Sequence, residues 1–88
     1  MFDQTRIKAE RIPPKIRDSI LEQELIDKSY PTEGDKRMKY LFDVYEHFID
    51  RRGEWDNWLC HKCRTHILEQ WKFMKPYLEE FKNQKNGF

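Results

Sequence analysis

At 88 residues the chain has room for one domain and a modest core, because a chain this short buries only about 60–65% of its unfolded surface. Charged and apolar residues each make up 38%, a balance near the disordered boundary that aromatics at 15% pull back toward a globular fold. A formal net charge of +1 excludes a global field that would drive binding to DNA, RNA or an acidic membrane. No apolar run reaches the length of a membrane span and "MFDQTRIKAERIPPK" lacks the apolar core of a signal peptide, so a cytoplasmic protein is expected.

Residues 1–18 mix charge with isolated apolar side chains. Arg6, Lys8, Arg11, Lys15 and Arg17 stand against Asp3, Glu10 and Asp18, a net of +2. Pro13-Pro14 imposes an extended conformation on Ile12. The segment reads as an extended N-terminal arm, loosely held or docked on a partner, ahead of a helical domain over residues 19–88. A first short helix is expected after Ser19, which has Glu22 at capping-box spacing. Ile16, Ile20, Leu21, Leu25 and Ile26 spread around its axis, so it must be covered on several sides or completed by a partner. "SYPTEGD" (29–35) is the turn that ends it, with Thr32 or Asp35 available to cap the next helix.

The second helix, about 33–51, has the clearest period. Met38, Leu41, Phe42, Tyr45, Phe48 and Ile49 share one sector of roughly 120°, with Lys39, Asp43, Glu46 and Asp50 elsewhere. Arg51, Arg52 and Gly53 form its stop, and Asp56 or Asn57 can cap a third helix running from about 57 to at least 75. Leu59, Cys60, Cys63, Ile67, Trp71 and Met74 make one stripe. Tyr77, Leu78 and Phe81 continue it in phase beyond Pro76, which predicts a kink and not a break. The fold class is therefore all-α: a three-helix, bundle-like domain with an extended arm and a long, kinked C-terminal helix.

Both cysteines, two of three histidines and all three tryptophans fall in "EWDNWLCHKCRTHILEQW" (54–71). Cys60 and Cys63 project onto the apolar sector, where a cysteine acts as a small buried hydrophobe. For zinc, C-x-x-C is half of a structural site. Only His66 could join Cys60 and Cys63, and three such positions rarely converge without unwinding the helix. A site shared between two chains is easier, and resembles the hook apex of some long coiled-coil proteins. For redox chemistry, a C-x-x-C at a helix N-terminus lowers a thiol pKa. Strands for a thioredoxin-like fold are missing, however, and so is the flavin-binding motif of the helical sulfhydryl oxidases that 42–63 otherwise resembles. Arg64 stands where heme attachment needs histidine. A nucleic-acid patch would use Arg51, Arg52, Lys62 and Arg64 beside Trp55 and Trp58, but Asp50, Glu54 and Asp56 interrupt it. With no Gly-rich phosphate loop, nucleophile elbow or paired catalytic carboxylates, no enzyme and no cofactor are expected.

"YLFDVYEHF", followed after a short loop by "CHKC" and a further helix, resembles small proteins of tailed phages and related mobile elements, in which a Leu-x-x-x-Tyr helix precedes a C-x-x-C helix. The likeness spans roughly residues 40–71. It implies a setting, as a virion part or a host-directed binder, and carries over no functional residue.

The chain holds more large side chains than 88 residues can bury, and exposed rings are typical interface anchors. The expected role is protein binding, to another protein or a second copy, through Tyr40, Val44, Trp55, Trp58, Trp71 and Phe81. The alternative is a zinc-stabilised helical nucleic-acid-binding or regulatory protein built on Cys60 and Cys63.

Overall fold

A computed structural model describes residues 3–50 and 57–85. Among these the secondary structure is all helix: α1 (Gln4–Glu10), α2 (Pro14–Glu22), α3 (Leu25–Lys28), α4 (Lys36–Phe48) and α5 (His61–Lys85). No helix of the described residues is long and apolar enough to cross a membrane.

The first correction concerns the predicted N-terminal arm, whose described residues 3–18 are not extended but largely helical. Asp3 caps α1, its side chain accepting from the N–H groups of Thr5 and Arg6 at 3.0 and 3.2 Å. A seven-residue helix does not persist in water without tertiary support, and α5 supplies that support. Ala9 and Ile12 are buried in the core. The cations expected to seek a partner are spent inside the molecule. Arg6 meets Glu80 at 3.1 Å and lies 5.0 Å from the Phe81 ring centre. Lys8 donates to Gln70 Oε1 at 3.1 Å and to the Tyr45 hydroxyl at 3.3 Å. Arg11 donates to the Ile49 carbonyl at 3.0 Å. Tyr77 donates its O–H to the Asp3 carboxylate.

The expected Ser19 cap is also corrected. Helix α2 starts at Pro14, whose fixed φ and missing N–H suit a first helical position. Ser19 lies mid-helix, its Oγ accepting from Gln23 Nε2 at 2.7 Å. The spread of apolar residues over 16–26 then has a simple explanation. Glu24 sits in the left-handed region at φ 54°, ψ 38°, which breaks the helix and re-aims the chain into α3. Ile20 on one side of the break and Leu25 and Ile26 on the other all reach the core, so no partner is needed to complete this stretch.

Helix α4 follows its predicted stripe. Met38, Leu41, Phe42, Tyr45 and Ile49 are buried and Phe48 partly so. Asp35 is the cap, accepting from the N–H groups of Tyr30, Arg37 and Met38 at 2.6, 2.8 and 3.3 Å. Burial pushes its carboxyl pKa up, but these three donors outweigh burial and hold it below its ordinary value.

Helix α5, 25 residues and about 37 Å long, packs against all four other helices. It runs through Pro76 without interruption, as the in-phase stripe requires. Ile67, Trp71, Met74 and Leu78 are fully buried against Ile20, Ile26, Met38, Leu41 and Phe42. The one polar atom of the Trp71 side chain is satisfied, Nε1–H donating to the Leu41 carbonyl at 3.0 Å. The helix starts three residues later than an Asn57 cap would place it. Asn57 instead organises a preceding turn, its Oδ1 accepting from Leu59 N–H at 3.0 Å and its carbonyl from Cys60 N–H at 3.0 Å. Leu59, expected in the apolar stripe, is consequently left exposed in that turn.

Candidate binding surface and the start of helix α5

The residues predicted to bind a partner do not form one surface. Trp71, on the predicted apolar stripe of α5, is fully buried, and Val44, off the predicted stripe of α4, is buried as well. Both are core residues, which corrects that part of the prediction. Phe81 is half-buried under Arg6. Trp58 is half-buried, edge-on to Phe42 at 5.2 Å and 77°, with Lys39 and Arg64 at 5.1 and 5.5 Å from its ring. Tyr40 is exposed at 38%. Trp55 lies outside the described residues.

Of the predicted basic patch, one described member is withdrawn from the surface. Arg64 is 6% exposed and points inward. Its Nε–H donates to the Pro31 carbonyl at 3.0 Å and its Nη1–H to the Trp58 carbonyl. It ties the turn before α4 to the turn before α5, so it is not free to meet a phosphate. Lys62 is exposed, and Arg51 and Arg52 lie outside the described residues.

Cys60, Cys63 and His66 do not converge. Each three-residue step on a helix falls about 60° short of a full turn, so His66 lies about 120° around the axis from Cys60. Among the described residues no three His, Cys, Asp or Glu side chains are placed to hold a metal ion.

Both cysteines are free thiols, with Cys63 buried and Cys60 half-exposed. Cys60 sits where an N-cap belongs: His61 is the first helical residue, and the Cys60 carbonyl accepts the first intrahelical bond, from Arg64 N–H at 3.1 Å. Its sulfur plays the part that a serine or aspartate oxygen usually plays. The Cys63 N–H, the Cys63 thiol and the Lys62 N–H all favour its anionic form. Together with the Arg64 charge, these donors outweigh desolvation and hold the Cys60 thiol below its ordinary pKa.

A surface the sequence did not announce lies at the start of α4. Tyr30 is exposed at 69%, more than Tyr40. Two shallow depressions adjoin here, one lined by Tyr30, Thr32, Gly34 and the capping carboxylate Asp35, the other by Ser19, Gln23, Leu25 and Tyr40, with Lys36 and Arg37 common to both; the Arg37 charge also acts on Asp35. Lys36 and Arg37 are exposed and neither makes a salt bridge with a described residue. The only sequence signal for Tyr30 was its place before Pro31 in a turn, where no helical stripe could absorb its ring. A deeper groove between α2–α3 and α5 has an apolar floor of Ile20, Leu21 and Ile26. Ion pairs close its rim, Lys75 with Asp27 at 2.6 Å and Lys82 with Glu22 at 3.5 Å. No protein-family model, curated protein or solved structure matches the chain.

Proposed function

We propose that this chain is a small, non-enzymatic protein-binding module, and that it docks an acidic segment of a partner protein on the surface formed by Tyr30, Lys36, Arg37 and Tyr40. The observation that carries this reading is the pair of exposed tyrosines flanking two cations that have no salt-bridge partner among the described residues. Tyrosine brings apolar area and a hydroxyl at small entropic cost, and arginine forks onto carboxylates, which makes both frequent interface anchors. Lys39 and Lys28 are paired internally, with Asp43 and Glu24; Lys15, Lys62 and Lys72 are also exposed without a salt bridge to a described residue, but they line neither depression. The resemblance of residues 40–71 to small phage and mobile-element proteins suits an adaptor or a structural part acting in the cytoplasm or in a virion.

The test is matched capture by the wild type and three variants: Tyr30→Ala/Tyr40→Ala, Lys36→Glu/Arg37→Glu, and Phe73→Ala as a control at a different exposed ring on α5. A protein retained by wild type and control but lost from both surface variants, with retention weakening as salt rises, supports the proposal. A partner lost only on Phe73→Ala, or retained by all variants, moves the docking surface away from α4.

A further inference from the structure

We propose that Cys60 and Cys63 form a thiol–disulfide exchange site that reacts with low-molecular-weight disulfides, Cys60 attacking and Cys63 resolving. This does not depend on the docking surface and goes beyond protein binding.

The roles follow from the unequal placement of the two sulfurs. Cys60 is half-exposed at the start of α5, within reach of a small solute, whereas Cys63 is 5% exposed and faces the core. The positions are N-cap and N3 of one helix, the spacing at which an N-cap side chain meets the N3 backbone. Here the N3 residue is itself a cysteine, so the two sulfurs belong to adjoining positions of the first turn of α5. The attacking sulfur is thus held beside the resolving one before any reaction. Two main-chain N–H groups and the Arg64 charge favour its anionic form. Arg64 is itself fixed by the Pro31 and Trp58 carbonyls, so its charge stays near the sulfur.

The reaction balances without a further reagent. The Cys60 thiolate attacks one sulfur of the small disulfide, a Cys60–S–S–R bond forms, and one R–S⁻ leaves. Cys63 gives its proton to water and attacks the Cys60 sulfur, closing Cys60–Cys63 and expelling the second R–S⁻. The protein dithiol loses two electrons and the small disulfide leaves as two thiols. Closure takes the Cys60 sulfur from thiolate to disulfide, which removes the negative charge at the helix N-terminus.

The probe is oxidised glutathione added to the reduced full chain, with acid quenching and intact-mass analysis over time. Cys60→Ser keeps a good N-cap oxygen and Cys63→Ala keeps a small apolar side chain in the core, so both variants should retain the helical circular dichroism of the wild type. Wild type is expected to end as the internal disulfide with little lasting adduct. Cys63→Ala should stop at a stable glutathione adduct on Cys60, and Cys60→Ser should react more than about tenfold slower, because a buried thiol is a poor nucleophile. Alkylation of Cys60 in Cys63→Ala should persist at pH values where a free cysteine is protonated. Equal rates for Cys60→Ser and wild type, a persistent adduct or no reaction in wild type, or a disulfide between two chains would each overturn the assignment.

Discussion

Arg64 offers the sharpest test of the packing, because one side chain spans two turns and is almost wholly buried. Replacing it with methionine keeps the apolar stem and removes the guanidinium, together with its contact to the Trp58 ring. Two hydrogen bonds are lost, to the Pro31 and Trp58 carbonyls. Bonds from a charged donor contribute about 1.5–3 kcal/mol each. At 6% exposure little solvent is available to replace them. Relief from desolvating the charge returns part of this loss, leaving a net cost of about 2–3 kcal/mol. A chain of this size has a total stability of about 4–13 kcal/mol, so the melting midpoint should drop by about 8–24 °C. Urea titration by far-UV circular dichroism measures the change, with the midpoint moving and the slope held. Arg64→Lys should recover less than half, since a single ammonium cannot reach both carbonyls. Faster amide exchange over residues 29–35 would place the damage where the bond to Pro31 is lost. A methionine variant within about 0.5 kcal/mol of wild type would show that the two turns are not held this way.

Three further outcomes are expected. Ala9→Asp buries a carboxylate between α1 and α5 and should cost more than about 2 kcal/mol in the same titration, whereas a free arm would tolerate it within about 0.5 kcal/mol. Glu24→Gly relieves a left-handed backbone at φ 54°; after the entropy cost of glycine it should stabilise by about 0.5 kcal/mol, losing only an exposed ion pair to Lys28. Asp35 has a folded pKa below its unfolded value, so its contribution is complete above about pH 4 and is lost as pH falls through the folded pKa. Acid titration of stability should therefore be shallower in Asp35→Asn than in wild type over that window, and equal slopes would remove Asp35 as the cap.

The α4 stripe, its Asp35 cap, the passage of α5 through Pro76 and the burial of Cys63 were all legible from residue order, because a 3.6-residue period and a side-chain cap are local properties. The start of α2 was legible in principle: Pro14 at a first helical position was present in the sequence, but the Ser19–Glu22 spacing was a competing local signal. Helix α1 could not be read, since a seven-residue helix is decided by the surface it lands on, here α5 with Glu80, Phe81 and Gln70 waiting for Arg6 and Lys8. The helical projection left Val44 off the α4 stripe for the same reason: it ranks the faces of one helix and is silent on which neighbour covers them. Trp71, by contrast, lay on the predicted α5 stripe and its core placement was legible. Periodicity and punctuation along the chain determined that this protein is helical, where α4 begins and that α5 continues past Pro76. Only tertiary packing decided which cations are spent internally, that Arg64 points inward, and that Tyr30 and the Cys60 sulfur remain open to solvent.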